Sequence, residues 1–97
     1  MVEHLVLFRW KEGVDSAAID SALEGLRALK DQIPGILELT CGRNFSDRAK
    51  GFDAGLYVRF AGRAALESYG PHPAHQRIVQ ELLAPIREDV IALDFEV

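Results

Sequence analysis

The chain has 97 residues, about one domain's worth, and its 48% hydrophobic and 27% charged residues exclude the disordered and low-complexity classes. A net charge of −4 with no basic stripe speaks against nucleic acid as a partner, and no apolar run nears the ~20 residues of a membrane helix. The opening Met1-Val2-Glu3-His4 lacks the basic-then-apolar order of a secretory leader, and the single Cys41 has no internal disulfide partner, so a reducing cytoplasm is the expected compartment.

Residues 5–10 are a run of strand formers. One face of that strand carries Val2, His4, Val6, Phe8 and Trp10; the other carries Glu3, Leu5, Leu7 and Arg9. Both faces are apolar in the middle, so both are expected to be covered. Lys11-Glu12-Gly13-Val14 reads as a turn, and Asp15 or Ser16 offers an oxygen to cap a helix. Ile19, Ala22, Leu23, Leu26, Leu29 and Ile33 then recur at helical spacing until Pro34-Gly35 ends the run.

Residues 36–41 and 56–60 are the next two strands. The polar loop between them, 42–51, is long for a hairpin, which marks it as functional or mobile. A short helix spans 64–69, and Gly70-Pro71-His72-Pro73 breaks it. Another helix runs from about 74 to 85, its apolar face holding Ile78, Val79, Leu82, Leu83 and Ile86. A last strand covers 90–97, with Ile91, Leu93 and Phe95 on one side. The order β-α-β-β-α-β is the ferredoxin-like plan of the α+β class: one four-stranded antiparallel sheet with helices on one face. No linker or repeat interrupts it, so 1–97 reads as a single domain.

In that plan the helices leave one sheet face bare. The first strand is apolar both ways, and Thr40, Cys41, Tyr57 and Phe60 add mixed surface elsewhere. A second copy stacked sheet to sheet across a two-fold axis would cover such a patch. The competing reading is that Glu3, Arg9, Glu38, Arg59 and Glu96 keep the face wet.

Three histidines are available: His4, His72 and His75. His72-Pro73-Ala74-His75 offers two nitrogens to a metal, but a usable site needs three or four ligands, and no Cys-x-x-Cys or carboxylate cluster accompanies the pair. His75 shares the apolar stripe of the last helix with Ile78 and Val79, so it should point at the sheet. Tyr69 ends the preceding helix and should face inward as well, meeting His75 over the kink. His4 joins them if its strand face is the one the helices cover. An imidazole titrates near neutrality, and a phenol can orient it or donate to a carbonyl oxygen as charge grows there. Proton abstraction beside a carbonyl, or an aldol-type closure, fits such a group and needs no metal or organic cofactor. A buried histidine satisfied by a backbone carbonyl is the structural alternative, and the residues alone leave both readings open.

Several segments recur together in one family. They are His4-Leu5-Val6-Leu7-Phe8 followed by Arg9-Trp10-Lys11, then Ile33-Pro34-Gly35-Ile36 and Cys41-Gly42-Arg43-Asn44. Tyr69-Gly70-Pro71-His72-Pro73-Ala74-His75 and Leu93-Asp94-Phe95 complete the set. With them the chain resembles the stress-responsive dimeric α/β-barrel (Dabb) family over nearly its whole length. The resemblance implies a homodimer whose two sheets form a barrel. The leading expectation is then a cytoplasmic homodimer with an apolar pocket between sheet and helices in each subunit for a small carbonyl compound. One plant member closes a linear polyketide by a cofactor-free aldol reaction, and its catalytic histidine, supporting tyrosine and strand-opening histidine fall on His75, Tyr69 and His4 here. Its further pocket histidine falls on Ala54, so the resemblance does not carry the particular substrate. Other members are plant stress proteins and small bacterial proteins of unknown activity, and a non-catalytic, ligand-binding dimer is the alternative it allows.

Overall fold

The hydrophobic period changes from two to 3.6 at Asp15, and there the chain leaves its first strand for its first helix. In the computed structural model, which describes all of residues 1–97, the Asp15 carboxylate accepts from Ala17 N at 3.1 Å and caps the helix. The elements are β1 (Val2–Trp10), α1 (Ser16–Ala28), β2 (Ile36–Arg43), β3 (Ala54–Phe60), α2 (Arg63–Tyr69), α3 (Pro73–Ile78) and β4 (Arg87–Glu96). All strand pairs are antiparallel, in the order β2-β3-β1-β4. This is the expected ferredoxin-like sheet, with β1 in its centre.

The stripe read from sequence is the core. Ala22, Leu23, Leu26 and Leu29 from α1 and the turn after it pack on Val2, Val6, Phe8, Val58 and Phe60 of the sheet. All four strands run longer than the sequence suggests: β2 extends to Arg43 and β3 back to Ala54. β1 begins at Val2 and β4 at Arg87, because the two strands pair along their full length, from Val2 opposite Glu96 to Trp10 opposite Arg87. The long helix expected over 74–85 is a single α-helical stretch, α3, followed by a wider π-helical turn at Val79–Leu83, where Ala84 N donates to Val79 O at 2.8 Å. Gly25 of α1 lies under this turn. A Cβ there would come within 2.7 Å of Leu82 Cδ1, so the glycine lets the two helical layers approach.

The opposite sheet face carries no helix. Glu3, Leu5 and Leu7 of β1 lie between Tyr57 and Arg59 of β3 and Ile91, Leu93 and Phe95 of β4. Ile91, Leu93 and Phe95 are 48%, 58% and 45% exposed, a contiguous apolar strip open to water. Three side chains assigned to this face by sequence lie on the other. Phe60 is fully buried in the core. Cys41 donates to Leu23 O of α1 at 3.4 Å. Glu96 takes a bond from Arg63 of α2 at 2.6 Å. Strand alternation separates Cys41 from Thr40 and Phe60 from Tyr57, and the pairing with β1 puts Cys41, Phe60 and Glu96 on the face that the helices cover. Glu3 stays on the bare face yet is only 5% exposed, because Arg59 clamps one oxygen at 2.6 and 2.9 Å and Tyr57 donates to the other at 2.5 Å.

The long β2–β3 loop is ordered by its own side chains. Asn44 accepts from Ser46 N at 2.9 Å and donates to Ser46 O at 2.8 Å. Asp53 accepts from Trp10 N at 2.8 Å, while its own N–H donates to Phe8 O at 2.7 Å, which ties the loop to the end of β1. Phe45, near its tip, is fully exposed.

Candidate active site

The break between α2 and α3 sets the geometry of the site. Proline cannot donate a backbone bond and fits the first turn of a helix, so Pro73 starts α3. His72 Nδ1 accepts from Ala74 N at 3.1 Å and caps it, a structural task that ties up this nitrogen. His75 sits one turn further on, half-buried and turned toward the sheet.

His75 Nδ1 lies 2.9 Å from Gly70 O. A carbonyl only accepts, so the ring proton is on Nδ1 and the lone pair is on Nε2. The ring rests against that of Tyr69, with centroids 4.3 Å apart. Tyr69 also meets Phe60 edge-on at 5.1 Å and the His4 ring at 5.8 Å. His4 is on the helix-covered face of β1, and its Nδ1 is bonded to the carboxylate of Asp94, its cross-strand neighbour on β4. The structure therefore brings His4, Tyr69 and His75 together, as the sequence expected. One detail differs. Tyr69 and His75 touch through their rings, and it is the Gly70 carbonyl that orients the imidazole.

These groups line a hollow of about 250 Å³ between sheet and helices, walled mainly by Val6, Leu66, Val79, Leu83 and Val90. Burial holds the His75 pKa below its ordinary 6.5, against the opposing pull of the Gly70 carbonyl, so the ring is neutral at physiological pH. Burial also pushes the Tyr69 phenol up to about 12, so it keeps its proton. Its hydroxyl is buried and bonds to no protein group. A base with a free nitrogen thus lines one small apolar space, and a phenol with an unspent proton is buried in the wall beside it. That combination suits removal of a proton from a carbon or oxygen acid whose charge the phenol then steadies.

A larger hollow of about 680 Å³ lies on the bare sheet face beneath the β2–β3 loop, lined by Leu5, Leu7, Phe45, Phe52, Ile91 and Leu93 among others. It holds no histidine or carboxylate, and two of its polar side chains are engaged elsewhere: Tyr57 with Glu3, and Arg43 with Asp20 at 2.7 Å. The three candidate acid–base residues therefore all line the smaller space.

Asp94 and Arg87 also belong to the site, and the sequence reading assigned neither a role. Asp94 is visible only once the β1–β4 register is known, although a carboxylate at a helix-facing position of the strand was a signal. Arg87 lies before the strand expected over 90–97 and opens β4 in the structure.

A family model described as the stress responsive A/B barrel domain matches residues 2–97. An Arabidopsis thaliana protein described as containing a stress-response A/B barrel domain is 37% identical over 97 residues. The match takes in 98% of this chain but 36% of the plant protein, so the chain spans little more than a third of that relative. A dimeric ferredoxin-like protein of unknown function from a Jannaschia species superposes with a TM-score of 0.79 at 30% identity, covering 99% of this chain and 98% of that one. A hydroxynitrile lyase from Passiflora edulis superposes with a TM-score of 0.88 over 99% of this chain and 92% of its own, at 23% identity, which establishes a shared fold.

Proposed function

This chain belongs to the stress-responsive A/B barrel (Dabb) family, and from that premise we propose that it is a homodimeric, cofactor-free acid–base catalyst acting on a small carbonyl compound. Each subunit holds one substrate in the 250 Å³ hollow. That space falls below the roughly 300–1,000 Å³ of drug-sized pockets, so the guest is small. His75 Nε2 removes the proton next to the carbonyl, the electron pair moves onto the carbonyl oxygen, and the Tyr69 hydroxyl donates a hydrogen bond to that oxygen. The same imidazole returns the proton in the second half of the reaction. His4, held by Asp94, is a second polar group against the substrate. The reading places the protein in a reducing cytoplasm, where the half-buried thiol of Cys41, raised in pKa by burial, stays inert.

The observation that carries this reading is the pairing of a neutral, backbone-oriented His75 with the ring of Tyr69, whose buried hydroxyl has no protein partner, in the wall of one hollow. The presence of a hydroxynitrile lyase among proteins of this fold supports the idea that the scaffold tolerates catalysis. The second reading, a ligand-binding dimer without turnover, draws on the Gly70 and Asp94 contacts, which also serve structure.

Deuterium uptake from D2O at the carbon between the carbonyls of acetoacetamide, followed by proton NMR, decides between them. The protein should accelerate uptake above buffer, and His75→Ala should abolish the acceleration while circular dichroism and oligomeric state stay those of the wild type. Bound ligand with no accelerated exchange would leave the binding-only reading standing.

A further inference from the structure

Arg87 is the one side chain lining the small hollow that carries a fixed charge. It is half-buried at the start of β4, opposite Trp10, and makes no ion pair or side-chain hydrogen bond in the structure. It differs in this from the other arginines. Arg9, Arg43, Arg59, Arg63 and Arg77 each hold a carboxylate, and Arg27 holds the Cys41 carbonyl. Arg48 has no side-chain partner either, but it is exposed on the β2–β3 loop. No carboxylate lines the hollow: its other ionisable groups are His4, Tyr69 and His75. Glu88 and Asp89 follow Arg87 in the chain, but Asp89 is bonded to Arg9 at 3.4 Å and neither lines the space.

A guanidinium presents a planar fork of donors that matches a carboxylate in two parallel bonds, and it is less costly to strip of water than an ammonium. Left unpaired beside an apolar hollow, it is a recognition group waiting for an anion. We propose that Arg87 selects substrates that carry a carboxylate, so that the compounds this site accepts are small oxo acids, with the acid group on Arg87 and the reacting carbon toward His75 and Tyr69. This rests on the reading of the hollow as a substrate site and narrows it to anionic carbonyl compounds.

Acetoacetate and acetoacetamide have the same size and shape and differ in charge, so they isolate the contribution of the guanidinium. Binding is followed by NMR titration of the backbone amides of the 15N-labelled dimer. The wild type should bind acetoacetate at least about tenfold tighter than the amide, the worth of one charge-assisted contact. Arg87→Leu should bring the two affinities together, and Arg87→Lys should restore part of the difference. Equal affinities in the wild type, or a preference for the acid that survives Arg87→Leu, would overturn the selection by Arg87 and leave the carbonyl site intact. Failure of both compounds to bind would overturn the carbonyl site and this inference together.

Discussion

At the scale of single residues, the Tyr69 hydroxyl separates a structural role from a chemical one. A buried hydroxyl with no protein partner contributes nothing to the fold and costs about 1–3 kcal/mol in lost hydration. Tyr69→Phe should therefore leave the thermal midpoint unchanged or raise it, while slowing deuterium exchange into acetoacetamide by about 10²-fold, the usual loss for one oxyanion donor. A fall in both would mean that the phenol serves packing. His75 makes a second prediction through pH. Burial disfavours its protonated ring in the folded state, so as pH drops past the ordinary 6.5 the unfolded chain takes the proton first. The stability contributed by neutral His75 is complete above that value and is lost as pH falls through the lower folded-state value. Urea unfolding between pH 7 and 5 should show this decline, and His75→Gln should remove His75's share of it. The exchange rate should have its acid limb in the same region, below pH 6.5, and no alkaline limb from Tyr69 before pH values close to 12.

The turn that ends the first helical run shows how elements, rather than single groups, hold the site. Gly35 has φ of +92°, and a Cβ placed on it would lie 2.7 Å from the Cβ of Ala65 in α2. Neither atom can swing away, since both sit directly on backbone. Gly35→Ala should then cost about 1–3 kcal/mol in urea unfolding, from backbone strain plus the clash. Because the same α2 ends in Tyr69, the variant should also weaken ligand binding in the hollow. This turn was legible in the sequence, because Pro34-Gly35 has a local mechanism. So were the α1 stripe, the capping by Asp15, the helix break before Pro73 and the inward turn of His75, each fixed by spacing within one element. The positions that sequence misplaced, Cys41, Phe60 and Glu96, depend on which face a strand presents, and register between strands is a non-local property. Asp94 escaped for the same reason: it meets His4 across 90 residues of chain. The π-helical turn packs over Gly25 of α1, a contact between segments more than fifty residues apart that no local pattern shows.

For the whole molecule, the bare sheet face is the feature that a lone subunit leaves unexplained. Ile91, Leu93 and Phe95 run along β4 beside Leu5 and Leu7 of β1, and Phe45 stands fully exposed at the tip of the loop above them. An apolar strip of this kind favours association, because each buried methylene is worth about 0.8 kcal/mol. The Glu3–Arg59–Tyr57 cluster at one end supplies a polar contact whose internal bonds are already complete, so covering it leaves no charge unpaired. Two copies facing each other through these sheets would bury both strips and leave the two helical sides, with their hollows, outward. Leu93 lies directly opposite Leu5 in the β1–β4 pairing and is the most exposed of the three β4 residues in the strip. Leu93→Glu should split a dimer into single subunits in sedimentation velocity at micromolar concentration, with circular dichroism preserved because the side chain is not part of the core. Glu24→Ser, exposed on α1 and away from the bare sheet face, is the control and should stay dimeric. The assembly also bears on the site: Asp94, which holds His4, lies between Leu93 and Phe95 on the same strand. Loss of the partner should therefore loosen the His4–Asp94 pair and weaken ligand binding in proportion to the monomer formed. Full affinity in a monomeric Leu93→Glu variant would show that each hollow works alone.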